Sequence, residues 1–203
     1  MKAKLLGGIF LCVAFATASS AQQIASRDPA KVEAGTYTIE PVHTRVLFGV
    51  SHFGFSTYYG VFTQPSGTLK LSPQDPAASK LEVQIPVNAI DTTNAKLDSD
   101  LKAADWFDVQ QYPTISFTST SVTVTGQDEA KVSGNLTIRG ITKPVTLTAK
   151  FNGAGVNPLD KHYTVGFDAN TIIKRSEFGM MKYIPLIGDD VALTISAAFE
   201  RQG

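Results

Sequence analysis

Alternation between apolar and polar side chains is the dominant pattern of this sequence from residue 36 onward. Successive side chains of a β-strand point to opposite faces, so a period of two predicts a strand with one buried face. In the stretch VHTRVLFGVSHFGF at 42–55, the apolar face would carry Thr44, Val46, Phe48, Val50 and His52. Near the C terminus the same period places on one face Val191, Leu193, Ile195, Ala197 and Phe199. Both stretches predict strands that line an apolar interior.

Similar runs, separated by turn residues, predict a chain made mostly of antiparallel strands. We expect strands at 36–39, 42–52, 57–63, 67–71, 80–86, 114–119, 121–125, 130–139, 145–151, 162–169 and 190–199. The turn GITKP at 140–144 predicts a hairpin between two of them. This all-β pattern is typical of a barrel or a sandwich and does not choose between them. A barrel of about eight strands would be filled by side chains or hold one small ligand.

The segment DTTNAKLDSDLKAADWFD at 91–108 breaks the β pattern. Leu97, Leu101 and Ala104 are spaced for one face of a helix, with acidic and lysine side chains opposite. Either Thr93 or Asp91 can serve as the N-cap. We therefore predict a short amphipathic helix inserted between two strands.

The N-terminal residues 1–21 have the pattern of a secretory signal peptide, with two lysines, an apolar stretch and small residues before the expected cleavage site. A flexible lead over 22–34 and one domain over 35–203 would follow. The only cysteine, Cys12, lies inside the signal, so the mature chain would enter an oxidising compartment without disulfides. No later stretch has 18 consecutive apolar residues, so we expect no transmembrane segment.

The charge balance argues against a nucleic-acid partner. The whole chain has 18 basic and 18 acidic residues, and removal of Lys2 and Lys4 with the signal leaves 16 against 18, a formal charge of −2. Binding to nucleic acid or to an anionic membrane surface through a polybasic patch would favour an excess of lysine and arginine. We expect neither.

No catalytic or metal-binding motif is present in the sequence. His43 and His52 are nine residues apart, so on one regular strand they face opposite ways and cannot share a metal ion, although a β-bulge between them would change this. We therefore predict no metal site, no cofactor and no catalytic residue. An enzyme that works through an arrangement that the sequence does not reveal stays an alternative.

Aromatic and methionine side chains outnumber the polar groups that could converge on a substrate. An ordinary hydrophobic core accounts for many of them. Several, however, lie at predicted strand ends or in loops, where a core needs them less: Phe53, Phe55, Trp106, Phe107, Phe178, Met180 and Met181. Flexible methionines beside aromatic rings suit an irregular apolar ligand.

Four blocks of the chain carry a resemblance to a known family. Residues 37–62, 90–119, 134–147 and 175–193, including LKAADWFDVQQYPTISF, LTIRGITKPV and RSEFG, resemble in order and spacing the YceI-like family of secreted bacterial lipid-binding proteins. The resemblance implies an extended lipocalin-like antiparallel β-barrel with a short helical insertion. It also implies a non-enzymatic protein that encloses a long-chain isoprenoid or fatty ligand, such as a polyprenyl phosphate, a quinone or a fatty amide.

From the residues and the resemblance together we predict a ligand-binding set of sixteen side chains: Phe48, Val50, His52, Phe53, Phe55, Phe62, Trp106, Phe107, Phe117, Leu136, Ile138, Phe167, Arg175, Phe178, Met180 and Met181. His52 is either a core histidine bonded to backbone or a polar contact in the cavity. Arg175 either clamps a phosphate or forms an ion pair with Glu177, Asp189 or Asp190.

Two further expectations concern partners. A barrel filled by side chains would instead make the chain an interaction protein, docking a membrane or respiratory partner through its loops. Edge strands and apolar loops would also allow a homodimer.

Overall fold

The computed structural model describes residues 24–203. The predicted signal peptide lies outside the described residues. The strands are β1 (Gly35–Ile39), β2 (Arg45–His52), β3 (Ser56–Phe62), β4 (Ser66–Leu71), β5 (Lys80–Pro86), β6 (Ile90–Asp91), β7 (Thr114–Val124), β8 (Glu129–Ile138), β9 (Ile141–Val156), β10 (Tyr163–Lys174) and β11 (Ile187–Arg201). One α-helix, α1 (Ala95–Lys102), separates β6 from β7. The predicted all-β class with one short helix is confirmed.

Eight of the strands close into an antiparallel barrel. Their order is β1-β4-β5-β7-β8-β9-β10-β11, and β1 pairs with β11 to complete the circle, for example Ile39 opposite Phe199. The sequence pattern left barrel and sandwich open. The pairing of β1 with β11 shows that the fold is a barrel, because it joins the two ends of the eight-strand sheet and leaves neither as a free edge at that point.

The long strand β11 pairs with two different strands along one edge. Its C-terminal residues pair with β1, while Ile187–Ser196 pair with β2, which continues into β3 and the short β6. The strands β2, β3 and β6 therefore extend one wall beyond the closed part of the barrel. Helix α1 follows β6 directly and packs against this extension through Leu97 and Leu101.

The predicted hairpin between β8 and β9 is present, but its turn is tighter than predicted. Arg139 and Gly140 alone connect the strands, with φ of 51° and 71°, as two-residue hairpin turns require. Pro144, expected in the turn, lies in β9 opposite Asn135. Since β9 pairs with β10 only from Thr148 onward, Pro144 lies on a stretch with one neighbour, where a missing N–H is tolerated.

Two other boundaries differ from the prediction. The runs at 114–119 and 121–125 are one strand, β7, whose register shifts at a bulge between Ser119 and Ser121. Helix α1 is shorter than predicted and is capped by Asn94, whose side chain accepts hydrogen bonds from the N–H groups of Lys96 and Leu97. Thr93 and Asp91 are not the cap.

The segment before β1, expected as a flexible lead, contacts the barrel. Ser26 and Ala154 exchange two backbone hydrogen bonds, with N–O distances of 2.8 and 2.9 Å. Glu33 forms an ion pair with Arg201 near the end of β11. The residues that the structure describes before the barrel thus lie against β9 and β11.

The core has two clusters at the two ends of the molecule. The larger one lies between the sheet and helix α1 and includes Phe62, Leu101, Phe117 and Phe178. The smaller one closes the opposite end and contains Tyr37, Ile39, Leu69, Phe151, Ala154, Val165 and Phe199. Both clusters are contacted by the partly buried Leu81 and Val83 of β5, and space remains between them.

Among residues 24–203, the helical segment is neither long nor apolar enough to cross a bilayer.

Candidate functional site

An apolar cavity of about 590 Å³ lies inside the barrel. Its wall is formed by the inward faces of the strands, including Val46, Phe48 and Val50 of β2 and Leu193 and Ile195 of β11. These are the faces that the period-two pattern predicted. The volume falls within the range of about 300–1,000 Å³ that small-molecule sites occupy in proteins.

Two inward-facing glycines keep the lumen open. Phe48 lies opposite Gly60 in the β2–β3 ladder, and a Cβ added to Gly60 would lie 2.3 Å from the Phe48 ring. A Cβ added to Gly134 of β8 would lie 2.4 Å from the Phe117 ring. Both aromatic rings therefore lie flat against the wall over a glycine. A larger residue at either glycine would push a ring into the cavity.

Aromatic rings close the cavity at the end where β1 meets β11. Phe167 and Phe199 line it, and their ring centroids are 6.2 Å apart. Phe151 lies behind Phe167, with a centroid distance of 5.7 Å, and is buried in the smaller core cluster with Tyr37 and Val165. This aromatic layer forms the floor of the cavity.

The opposite end of the cavity reaches the surface between two loops. Phe53, Tyr183 and Leu186 line the cavity and are also exposed. Phe53 lies in the β2–β3 turn and donates its backbone N–H to the carbonyl oxygen of Leu186, at 2.8 Å. This bond holds the two loops together at what we call the mouth of the cavity.

Arg175 is a charged side chain in this apolar wall and is only 4% exposed. It begins a 3₁₀ turn, Arg175–Phe178, after β10. Its guanidinium donates to three backbone carbonyls: Nη1 to Met180 at 2.7 Å, Nε to Gly188 at 2.8 Å and Nη2 to Ile187 at 2.9 Å. These bonds tie the loop after β10 to the start of β11.

The environment of Arg175 leaves its charge largely uncompensated. Within residues 24–203, no carboxylate lies within ion-pair distance of it, so of the two alternatives for Arg175 the ion pair with Glu177, Asp189 or Asp190 is wrong. Burial lowers the pKa of the guanidinium, and the Asp189 carboxylate acts in the opposite direction. The ordinary pKa of an arginine lies so far above neutral pH that the side chain stays a cation. The bonds described use one N–H of each nitrogen, which leaves a second N–H on Nη1 and on Nη2.

Asp189 is bound by Ser176 instead. Its carboxylate accepts hydrogen bonds from the N–H and the hydroxyl of Ser176, both at 2.8 Å. Burial raises the pKa of Asp189, but the two Ser176 bonds, together with Lys174 and Arg175, outweigh burial and lower it below its ordinary value. The ionised carboxylate thus anchors the 3₁₀ turn that carries Arg175.

His52 lies at the cavity wall near the mouth. Its ring is half-buried and packs edge-on against Phe53, with centroids 4.4 Å apart, and lies 6.4 Å from the Tyr58 ring. Within the described residues the imidazole makes no hydrogen bond to backbone. The arrangement favours the interpretation of His52 as a polar group in the cavity over that of a bonded core histidine.

The structure brings most of the predicted ligand-binding set to one cavity. The lining residues are Phe48, Val50, His52, Phe53, Phe62, Trp106, Phe107, Phe117, Leu136, Ile138, Phe167, Arg175 and Met180. Three predicted residues lie elsewhere. Phe55 and Met181 are exposed, and Phe178 is fully buried behind the wall.

The predicted ligand-binding set leaves out many aliphatic members of the wall, including some that the alternation placed on an inward face. They come from β5, β7, β8, β9, β10, β11 and helix α1: Val83, Ile85, Leu97, Leu101, Ile115, Val132, Val145, Leu147, Ile173, Val191, Leu193 and Ile195. Alternation marks such residues as inward-facing but does not separate those that touch a cavity from those that pack against one another. At the mouth, Tyr183 and Leu186 lie outside any regular strand, so no period could identify them.

A polar cluster lies at the far end of the barrel from the mouth. Asp160, His162 and Glu200 come close enough to share an ion, with His162 Nδ1 3.3 Å from a Glu200 carboxylate oxygen. The Asp160 carboxylate already accepts hydrogen bonds from the side chain of Asn157 and the N–H of His162. We interpret the cluster as a surface ion-pair group.

Comparison with known proteins agrees with this geometry. A family model described as the YceI-like domain matches residues 37–199. Protein YceI of Salmonella agona is 37% identical over 198 residues, which cover 97% of this chain and 96% of the relative. The crystal structure of BcnA from Burkholderia cenocepacia matches with a TM-score of 0.71 at 24% identity, over 79% of this chain and 98% of that one.

A second solved structure is a polyisoprenoid-binding domain from Saccharophagus degradans, implicated in plant cell wall breakdown. It matches with a TM-score of 0.66 at 13% identity, over 84% of this chain and 100% of that one. At these identities the two solved structures support the fold.

Proposed function

The chain belongs to the YceI-like family, and from this premise we propose that it is a non-enzymatic carrier that encloses one long-chain apolar molecule in its barrel. The ligand would be an isoprenoid, an isoprenoid quinone or a fatty acid or amide. Its polar end would lie towards Arg175 and its chain towards the aromatic floor.

The observation that carries the proposal is the unfilled apolar cavity of about 590 Å³. A barrel of eight strands can fill its interior with side chains, and this one does not. The Phe48 and Phe117 rings lie back over Gly60 and Gly134 and leave the space free. Each methylene group moved from water into such a space contributes about 0.8 kcal/mol, so a long chain is needed to offset the cost of association.

Arg175 supports a ligand with an anionic or strongly polar head. Its side chain lines the cavity, and the carbonyl bonds from Nη1 and Nη2 use only one N–H of each. Charge-assisted hydrogen bonds to a carboxylate or phosphate would stabilise the bound head group and compensate the buried charge. The fold neighbour from Saccharophagus degradans is described as polyisoprenoid-binding, which fits the same class of ligand.

The place of action that we propose is the periplasm. This rests on the signal peptide predicted over residues 1–21, with its lysines, apolar stretch and small residues.

A cavity-filling substitution tests the proposal. Ala169 on β10 lines the cavity, so Ala169→Trp should fill part of the lumen and abolish binding of an apolar dye such as N-phenylnaphthylamine. Ala192 on β11 is exposed on the outer face, and Ala192→Trp is the matched control that should leave dye binding unchanged.

Mass spectrometry of an organic extract identifies the natural ligand. The protein would be purified from the periplasm beside an unrelated periplasmic protein, and we expect a stoichiometric isoprenoid, quinone or fatty species in its extract alone. A clean extract together with dye binding that Ala169→Trp does not alter would contradict the proposal. That combination would favour an interaction protein that uses its loops.

A further inference from the structure

Five large apolar side chains are exposed around the mouth of the cavity. They are Phe53 and Phe55 in the β2–β3 turn, and Met181, Tyr183 and Leu186 in the loop between the 3₁₀ turn and β11. We call them the mouth rim. Phe55 is 91% exposed, and single exposed apolar residues are common on proteins, but contiguous groups of them mark interaction sites.

The mouth rim belongs to two loops that are joined to each other. The backbone bond from Phe53 N to the Leu186 carbonyl oxygen links their tips at 2.8 Å. Next to this bond, Ile187 pairs with His52 at the start of the β2–β11 ladder. The five side chains therefore project from one end of the barrel and not from a flat face of the sheet.

The rim carries almost no net charge. Residues 53–57 contain no charged side chain, and Lys182 is the one charged residue between positions 179 and 188. Lys182 Nζ is already paired with Asp105 at 2.6 Å and lies over the Tyr183 ring. A surface of this kind does not complement an acidic or basic protein partner, and it matches the neutral, apolar boundary of a lipid bilayer.

Continuity with the cavity also favours a bilayer. Phe53, Tyr183 and Leu186 line the cavity and form part of the rim, so a molecule that enters or leaves passes over them. A long apolar molecule crosses water at a high cost in free energy. A bilayer in contact with the rim would give it an apolar path, whereas a protein lying there would close the path.

We propose that the mouth rim docks on the surface of a lipid bilayer and that ligand passes between bilayer and cavity without crossing water. This inference rests on the carrier function proposed above. Phe55 and Met181 enter the interfacial region of the bilayer without lining the cavity, and Tyr183 lies at the boundary with its hydroxyl towards water. Docking requires no anionic lipid, because the five rim side chains are uncharged and Lys182 between them is paired with Asp105.

Vesicle flotation with matched variants tests this proposal. The full-length mature protein is floated with vesicles of phosphatidylcholine alone and with vesicles that also contain phosphatidylglycerol. The variants Phe55→Asp and Met181→Asp place a charge on the rim outside the cavity. Leu159→Asp is the control, since Leu159 is 90% exposed in the β9–β10 turn at the opposite end of the barrel.

We expect the wild type and Leu159→Asp to float on both kinds of vesicle, with little effect of salt. Each rim variant should bind vesicles at least roughly tenfold more weakly than the wild type, since burial of one large apolar side chain is worth at least that factor. Both rim variants should keep the circular dichroism spectrum of the wild type and its affinity for N-phenylnaphthylamine in solution. The rate at which this dye passes from vesicles to the protein should fall in proportion to the loss of vesicle binding.

The outcomes separate this inference from the carrier function. Dye binding without flotation of the wild type overturns docking and leaves the carrier function in place, whereas absence of dye binding overturns both. Flotation that needs anionic lipid and disappears with salt places the contact elsewhere on the molecule. If the rim variants alter the sedimentation coefficient and not flotation, the rim is a contact between two copies and docking on a bilayer is wrong.

Discussion

The guanidinium carbon of Arg175 lies 5.3 Å from the centroid of the Trp106 indole ring. A cation over the face of an aromatic ring is attracted by the ring quadrupole, and the attraction is stronger where water is excluded. Trp106 and Arg175 both line the cavity. The pair therefore places a positive charge in an apolar wall, held by the ring and by three carbonyls, which use one N–H of each guanidinium nitrogen.

Arg175→Met should remove selectivity for an anionic head group. Wild type should bind a fatty acid more tightly than the alcohol of the same chain length, and the variant should bind both about equally. The variant also leaves three carbonyl oxygens without their donor, and we expect a loss of about 3 kcal/mol in the free energy of unfolding. Competition with N-phenylnaphthylamine measures both affinities.

Arg175→Lys is the companion variant, because it keeps the charge but not the planar fork of donors. It should retain part of the preference for the acid. An unchanged acid-to-alcohol ratio in Arg175→Met would show that the head group lies elsewhere.

Phe167→Ala should deepen the cavity and shift its preference to longer chains. The Phe167 ring forms the cavity side of the aromatic floor with Phe199, and its removal would open space towards Phe151. Each extra methylene that fits would add up to about 0.8 kcal/mol, or about fourfold in affinity. A series of fatty acids from lauric to lignoceric acid measures the shift.

Leu193→Ala serves as the control for this shift, since Leu193 lines the cavity on β11 opposite Phe48, away from the floor. It should widen the lumen without lengthening it. Equal shifts in the two variants would contradict the assignment of Phe167 as the floor.

Gly60→Ala should reduce ligand capacity. The added methyl group would meet the Phe48 ring at 2.3 Å and turn it into the lumen. We expect weaker dye binding and a loss of about 1–3 kcal/mol in the free energy of unfolding from overpacking. Gly49→Ala, where the Cβ would meet the exposed Tyr59 at 2.9 Å, is the matched control on the outer face. Full dye binding by Gly60→Ala would count against a lumen kept open by glycine.

Phe178→Ala should affect stability more than ligand binding. Phe178 is 0% exposed and packs in the larger core cluster without lining the cavity, so truncation should cost about 3–5 kcal/mol in the free energy of unfolding. Trp106→Ala, at the cavity wall, should weaken ligand retention. Chemical denaturation and dye titration together separate the two effects, and the reverse pattern would contradict the placement of Phe178.

The protein should lose stability in acid as the Asp189 carboxylate becomes protonated. The pKa of Asp189 is lower in the folded state than its ordinary value of 3.8, so its contribution is present above about pH 4 and is lost as the pH falls through the folded-state pKa. Asp189→Asn should therefore lose less stability than wild type between pH 5 and about pH 3. Ser176→Ala, which removes one of the two donors, should give an intermediate change of the free energy of unfolding with pH. Urea denaturation at each pH measures the slope of this free energy against pH. Identical slopes in all three proteins would show that Asp189 plays no part.

Local pattern was enough to predict the strands and their inner faces. The inward faces of β2 and β11 follow directly from the alternation around Phe48 and Leu193, because the face of a strand residue depends only on its position in a period of two. The resemblance of four sequence blocks to the YceI-like family added the barrel and its apolar interior. Most of the predicted cavity residues follow from these two sources.

Turns and loops were predicted less well. Arg139 and Gly140 form the turn that the sequence placed at 140–144, and Asn94 caps the helix where Thr93 or Asp91 was expected. Neighbouring positions offer similar turn and cap chemistry, and the packing of the flanking elements selects among them.

The sequence by itself determined which side chains face inward and to which family the chain belongs. Tertiary structure alone decided that β1 closes on β11, that Arg175 binds carbonyls and an indole ring instead of a carboxylate, and that Phe55 and Phe178 lie outside the cavity. The physical reason is the sequence distance over which each interaction acts. Period and propensity act over a few residues, whereas barrel closure and the meeting of the two mouth loops join positions more than 100 residues apart.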